Sequence, residues 1–494
     1  MPNSAAAAAA DRRSSSGDLP GGPSEGPPQG SNGGAATLLS TARGEHRSEE
    51  EVHEAYVKVL KEMTGTPPMK LRLDALEEVA LALGSPHHNF EAVHVAGTNG
   101  KGSVCAKIAA CLMAKGYRVG LFTSPHLFSL RERFSLNGTC ISEYSFLEVF
   151  AKVKTAASTV GVELTFFEVC TLMAFEFFAS ERVQWAVIET GLGGRLDATN
   201  LLVNPRCCVI TSIGWDHMHI LGETLEDIAQ EKAGIFKNKV NVVLGPSAAA
   251  LPLLWERAAA LQCDVWEIRV DPRGEDFDKE NSNIAELVAQ NVLRLDLTQS
   301  QLAAALAVRP PAREQWLSQQ QLRVAAAAAA ETSGFFSSSS NCKTQQQQQH
   351  QRQQPLEAPL ADPAASLPLG VVIDVGHNES AVDRLFQGLH LATANHPRCQ
   401  PAAAVFRDIC SNSNCSAEWV FAGTLPRLLQ KAFAAAAAEG SVLAVCGTFF
   451  MMREVFQTFG MNTGPIDPMD MNERSPTTAS PQEIKAATAL QPHD

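Results

Sequence analysis

The residues with the clearest chemical reach lie in Val93-His-Val-Ala-Gly-Thr-Asn-Gly-Lys-Gly-Ser-Val104. Gly97, Gly100 and Gly102 keep Cβ atoms out of the turn, so backbone N–H groups beside Thr98 and Asn99 can converge on a phosphate. Lys101 adds a mobile positive charge suited to β/γ-phosphates, and Ser103 a hydroxyl suited to Mg²⁺. Val95 stands where the general phosphate loop has its first glycine, so a tight strand–helix connection is the competing reading. Downstream, Glu189 closes an apolar strand where a valine or isoleucine would be ordinary. Its charge needs a partner there, either a metal ion bridging to phosphate or a strand-end salt bridge. Lys232 sits among Ile228, Ala229, Ala233 and Ile235. A lysine in such surroundings loses its charge readily and can then react with CO₂; the alternative is a surface pair with Glu231 or Glu226.

These groups need a scaffold, and the apolar pattern supplies one. Ala92 to Ala96 predicts a buried strand and Val104 to Lys115 a helix, which places an anion at a helix N-terminus. Tyr117 to Phe122 is a second strand, completing a βαβ unit and hence a parallel sheet with ligands at its carboxyl ends. Helices over Glu143–Ser158, Phe166–Ala179 and Thr224–Gly234 then alternate with strands at Trp185–Glu189, Cys207–Ile213 and Val240–Leu244. Two amphipathic helices, carrying Tyr56, Val59 and Leu60 and then Leu76 and Val79, precede the first strand. The fold class is α/β: a parallel-sheet phosphate-loop ATPase domain over 49–306, then a smaller domain over 307–465 that is Rossmann-like as the family resemblance given below implies. Residues 1–48 and 466–494 read as tails, and 324–367 as an Ala/Ser/Gln-rich insert.

Bulk properties narrow the function. A formal charge of −13 with no Lys/Arg block argues against nucleic-acid and anionic-membrane partners. The 12 cysteines show no Cys-x-x-Cys spacing, which points to reduced thiols rather than a disulfide frame or a zinc site. No apolar run is long enough to span a bilayer. The expectation is a cytoplasmic protein without a membrane anchor; a mitochondrial transit segment is the weaker reading of the N-terminus.

Taken in order, Gly97-Thr-Asn-Gly-Lys-Gly-Ser103, Thr123-Ser-Pro-His126 with Arg131-Glu-Arg133, Glu189-Thr-Gly-Leu-Gly-Gly194 with Asp197-Ala-Thr-Asn200, Asp216-His217 and Glu231-Lys-Ala-Gly-Ile235 resemble the folylpolyglutamate synthase and dihydrofolate synthase branch of the Mur ligases. The resemblance is dense over 71–246 and patchier beyond. It implies an ATP-dependent ligase that joins L-glutamate to a folate or to dihydropteroate through an acyl phosphate. ATP and Mg²⁺ are the implied cofactors, with a monovalent cation such as K⁺ left open, and the protein is expected to be a monomer acting on small molecules. Lys101, Glu189, His217 and Lys232 would be the catalytic set, and Ser103, Ser124, Glu189, His217 and carbamylated Lys232 the metal contacts. Asn283, Arg313, Asp374 and His377 would reach the nucleotide from the far side, with Asn281 a competing alignment for the asparagine. Arg131, Arg133 and Phe166-Phe167-Glu168 are candidates for the pterin substrate, through carboxylate pairing and ring stacking. Another Mur-type amino-acid ligase and a non-catalytic nucleotide- or folate-binding protein are the alternatives.

Overall fold

The computed structural model describes residues 48–67, 73–268, 277–313, 315–318, 320–325, 370–374, 442–446, 449–461 and 466–468, with isolated positions between 429 and 437. Of the proposed tail over 1–48 only Ser48 is described, as the N-cap of the first helix; nearly all of the 324–367 insert, His377 and the side chain of Asp374 lie outside the described residues.

In chain order the elements are α1 (Glu49–Met63), α2 (Asp74–Ala82), β1 (Glu91–Ala96), α3 (Lys101–Ala114), β2 (Val119–Phe122), β3 (Phe134–Leu136) and β4 (Thr139–Cys140). They continue with α4 (Glu143–Val160), α5 (Phe166–Ser180), β5 (Trp185–Glu189), β6 (Cys207–Ile210), α6 (Leu225–Ala233), β7 (Asn241–Leu244), α7 (Pro252–Ala260) and β8 (Val265–Glu267). Last come α8 (Phe277–Glu286), α9 (Gln299–Leu306), β9 (Gln315–Trp316), β10 (Gly370–Asp374), β11 (Val442–Cys446) and α10 (Phe449–Thr458).

An eight-stranded sheet runs β4-β3-β2-β5-β1-β6-β7-β8. The strands from β2 to β8 in that order are parallel, and the β3–β4 hairpin closes one edge antiparallel. A separate three-stranded sheet pairs β10 with β11 in parallel and β9 with β10 antiparallel. The period-2 alternation of strands decides what each face meets. Val93 and Val95 of β1 and Val187 of β5 pack with Val104, Ile108 and Leu112 of α3. Ala186 and Ile188, on the opposite face, pack with Phe175, Phe178 and Leu172 of α5. That helix is apolar nearly all round because it is buried among the sheet, α4 and the segment before β1.

The helix ends follow local chemistry. Ser142 and Thr165 accept backbone N–H bonds at the starts of α4 and α5, and Gly161 in the left-handed conformation ends α4. Glu168 closes the capping box of α5, taking the N–H of Thr165 at 2.7 Å. A pterin candidate on sequence grounds, it thus has a helix terminus to hold.

His94 faces away from α3 and is completely buried, with its Nε2 2.8 Å from Thr199 Oγ1. Burial, then the nearby Lys237, pushes its pKa down to about 3. The unfolded chain gains this proton as pH falls through about 6.5, whereas the folded chain does not until about pH 3. His94 therefore contributes a loss of stability over that window as the solution is acidified. His94→Gln is expected to show a shallower acid dependence of its denaturant midpoint than the parent chain.

Candidate active site

The glycine loop joins β1 to α3 and is clamped by the segment that follows β6. Thr98 N–H donates to Ser212 O at 2.8 Å, and Asn99 N–H to Ser212 Oγ at 2.9 Å. Asn99 O in turn accepts from Thr211 Oγ1 at 2.6 Å and Ser212 Oγ at 3.0 Å. Gly97 has φ +152°, and a Cβ there would lie 1.9 Å from Thr211 Oγ1. Gly100 has φ +84°, and its Cβ would lie 2.4 Å from Asn281 Oδ1. Asn281 of α8, the competing choice for the nucleotide asparagine, thus lies against the loop backbone. Gly97→Ala should disrupt the Thr211 clamp, weakening nucleotide binding by tenfold or more in a titration, on the order of one lost hydrogen-bonded contact plus a steric clash.

Helix α3 begins at Lys101, directly after Gly100, and has no side-chain cap. Its first-turn N–H groups and helix dipole are consequently available to an anion. The first turn lies beside Glu189: a Cβ at Gly102 would sit 3.4 Å from Glu189 Oε2, in ordinary contact. Glu189 lies on the same strand face as Val187, is 2% exposed, and accepts Ser124 N–H at 3.0 Å. Burial raises its pKa, while Lys101, the Ser124 N–H, Arg313 and Arg133 oppose the rise. A desolvated carboxylate beside an anion-binding helix turn that carries Ser103, and bonded to the Ser124 N–H, fits a hard divalent cation. Ser103, Ser124 and Glu189 are the residues this arrangement offers to it. Among the described residues, no cluster of three or more His, Cys, Asp or Glu side chains is placed to hold a metal ion. Hydroxyl groups and a modified lysine would have to complete the set.

Lys232 is 3% exposed and points inward from α6, donating to Gly97 O at 2.9 Å. Lys101 donates to the same carbonyl at 3.1 Å and to Thr98 O at 3.1 Å. Two cations therefore meet at one carbonyl oxygen. Burial, then Lys101, pushes the Lys232 pKa down to about 7, against the pull of Asp216, Asp197 and Glu231. The surface-pair reading is replaced: Glu231 pairs with Arg195 at 2.8 Å instead. Close backbone approach puts Lys232 there. A Cβ on Gly194 would lie 2.8 Å from the carbonyls of Glu231 and Lys232, and one on Gly234 would lie 2.4 Å from Arg195 Cα. Asn200 staples the junction through Nδ2 bonds to Arg195 O at 2.9 Å and Gly234 O at 3.1 Å. Asp197 holds the glycine turn after β5, accepting Gly191 N–H at 2.9 Å and Leu192 N–H at 2.8 Å.

His217 adopts a left-handed backbone conformation, with Nε2 3.7 Å from Asp216 Oδ1 and its side chain 41% exposed. Arg313 lies near enough to Glu189 to oppose that rise, and both line one cavity of about 580 Å³. That cavity also takes in Ser124, the loop from Leu127 to Glu132, the 308–311 junction, and Phe456 and Met461 after β11. Its size suits a small-molecule substrate. Arg133 is buried behind it, donating to His126 Nδ1 at 3.0 Å with its guanidinium 5.3 Å from the Phe166 ring centroid. Arg131 lies over Tyr56 at 5.7 Å and borders the cavity. Phe167 fills the space in front of Gly191, where a Cβ would lie 2.5 Å from its ring. The sequence alone does not mark the Thr211–Ser212 clamp, because its apolar run carries the strand to Ile213 whereas β6 ends at Ile210, leaving both residues on the ligand side.

Residues 95–286 match the Mur ligase middle domain. The parallel-dominated sheet with this loop at its carboxyl edge is the Mur ligase fold. A folylpolyglutamate synthase of Arabidopsis thaliana is 43% identical over 205 residues, covering 40% of this chain and 33% of the relative. The dihydrofolate synthase/folylpolyglutamate synthase of Bacillus subtilis is 44% identical over 180 residues, covering 35% and 42%. Dihydrofolate synthetase of Saccharomyces cerevisiae is 38% identical over 198 residues, covering 39% and 46%. The chain thus spans between a third and a half of the length of these curated relatives. Among solved structures, FolC of E. coli in complex with DHPP and ADP superimposes with TM-score 0.59 at 23% identity, over 82% of this chain and 97% of the other. A bifunctional folylpolyglutamate synthase/dihydrofolate synthase with Mn, AMPPNP and L-glutamate bound gives TM-score 0.61 at 23% identity, over 82% and 98%. These superpositions establish the fold.

Proposed function

We propose that the chain is an ATP-dependent ligase that joins the amino group of L-glutamate to the carboxylate of a folate, of dihydropteroate, or of both. The observation that carries this is the buried Glu189 beside the uncapped start of α3, with a substrate-sized cavity opening from that point. The nucleotide-bound relatives described above support ATP and a divalent metal as cofactors.

A carboxylate oxygen is too poor a leaving group for an amine to displace, so it must first be phosphorylated. The first turn of α3 and Lys101 hold the terminal phosphates, with Lys101 moving from the Gly97 and Thr98 carbonyls to the phosphate oxygens. The acceptor carboxylate attacks the γ-phosphorus and ADP leaves. The glutamate amine then attacks the acyl carbon, loses a proton, and inorganic phosphate departs. Ser103, Ser124, Glu189, His217 and a carbamylated Lys232 would hold Mg²⁺, which when bound neutralises phosphate charge. Arg313, which lines the same cavity as Glu189, supplies positive charge to the transferring group. Asn283, Asp374 and His377 remain the proposed nucleotide contacts of the second half, and K⁺ a proposed further ion.

We assign the nucleotide-binding part to 49–306 and the second part to 307–465, with 324–367 dispensable. A cytoplasmic monomer is the proposed form. The free state of the described cysteines agrees with a reducing compartment, and no described helix is long and apolar enough to cross a membrane. Two mammalian relatives carry mitochondrial names, so organelle import is part of the test by fractionation.

Phosphate release by the purified chain checks the reaction. It should require ATP, Mg²⁺, L-glutamate and either dihydropteroate or tetrahydrofolate together. Release that ignores the pterin would reject the acceptor assignment, and nucleotide binding without any release would favour the non-catalytic alternative.

A further inference from the structure

The loop Leu127–Arg133 forms one wall of the cavity, and its backbone N–H groups are claimed by two carboxylates. Glu132, within the loop, accepts Leu127 N–H at 2.8 Å, Phe128 N–H at 2.8 Å and Ser129 N–H at 2.9 Å. The next amide, Leu130 N–H, is bonded at 2.6 Å to Asp467, which arrives from beyond the last described helix. Asp467 is 4% exposed, accepts Ser129 Oγ–H at 3.0 Å, and receives the Tyr56 hydroxyl at 3.0 Å from each oxygen. Its own N–H donates to Phe128 O at 2.9 Å, and Arg453 of α10 donates to its carbonyl at 2.8 Å. Beside this polar clasp, Leu127 and Phe128 pack into the apolar cluster of α10, with the Phe128 and Phe456 rings 5.3 Å apart.

We propose that Asp467 is a positioning residue for the acceptor-binding loop, so that the wall carrying Arg131 and Glu132 is ordered only when the C-terminal segment is seated against α1. The proposal rests on the ligase reading for its kinetic form, but the clasp itself can be tested without turnover. Asp467 makes no contact with the phosphate loop. Its loss should therefore separate acceptor binding from nucleotide binding. In asparagine one of the two acceptor oxygens becomes a donor, so the Ser129 and Tyr56 hydroxyls, which both donate to Asp467, must reverse or go unpaired.

In the full chain, Asp467→Asn should raise the KM for the pterin acceptor about tenfold while the KM for ATP stays within about twofold. Tyr56→Phe should show a smaller rise alone and none when added to Asp467→Asn, since both remove one network. Hydrogen exchange, read without substrates, should speed up at 127–133 and stay unchanged at 97–103. Unchanged exchange at 127–133 would overturn the proposal, whether or not the chain proves to be a ligase. Equal rises in both KM values with a large fall in Tm would overturn it too, because that is the signature of a general structural role. If exchange responds as stated and no pterin-dependent turnover exists, the clasp stands and only the ligase reading falls.

Discussion

Lys101→Ala is expected to lower kcat/KM for the ligation by at least about 10²–10³-fold, the scale of losing one electrostatic contact to a transition state. The reason lies in what is left behind. Without Lys101, the loop still has its N–H groups and the dipole of α3, so ADP should bind within several-fold of the parent. The transferring phosphoryl group, however, loses its mobile cation. The fold should persist, because the hydrogen bonds of the side chain go to the carbonyls of Gly97 and Thr98 within its own loop. Steady-state kinetics with a parallel ADP titration separates these effects. Unchanged kcat/KM in Lys101→Ala would remove the phosphate loop from the reaction.

Lys232 should show an effect of similar size with a different chemical signature. Its amine is buried, shares a carbonyl with Lys101, and has a pKa near 7, which leaves a substantial neutral fraction at physiological pH. A neutral amine adds CO₂ to give a carbamate, and the negative charge so formed is what a site crowded with Lys101 and a metal ion would favour. Lys232→Ala is expected to bind ATP but turn over about 10²–10³-fold more slowly, with partial rescue by short carboxylic acids. Lys232→Arg should fail as well, since guanidinium keeps its charge and cannot be carbamylated. A surface ion pair would instead leave Lys232→Arg nearly normal and alter stability by about 0–1 kcal/mol. An active arginine variant, or an intact-mass spectrum of the metal-loaded chain under bicarbonate without the added CO₂, contradicts the carbamate.

Much of the site's frame was legible because it is written in short-range chemistry. The apolar alternation of β1, the glycines after it and the helical spacing beyond them correctly located the β1–α3 loop. The helix start was set later than it is, at Val104 instead of Lys101, because α3 begins without any side-chain cap to mark it. Strands β10 and β11 were likewise readable as apolar runs. The β3–β4 hairpin was overlooked although Asn137-Gly138 is a strong turn signal, and both residues adopt positive φ, of 48° and 79°. Its flanking strands are only three and two residues long, too short for an alternation to register. Other features depend on tertiary approach and leave no local trace. The choice of Asn281 against Gly100 and the seating of Asp467 on Tyr56, 411 positions away, are of this kind.

The most direct test follows one oxygen atom. The pterin acceptor is prepared with heavy oxygen in its reacting carboxylate and incubated with the full chain, ATP, Mg²⁺ and L-glutamate. If that carboxylate attacks the γ-phosphorus, one labelled oxygen leaves with phosphate when the amide forms. The account predicts singly labelled inorganic phosphate in equal amount to the glutamylated product. Glutamylated product accompanied by unlabelled phosphate, or labelled acceptor recovered unchanged while ATP is consumed, would contradict it.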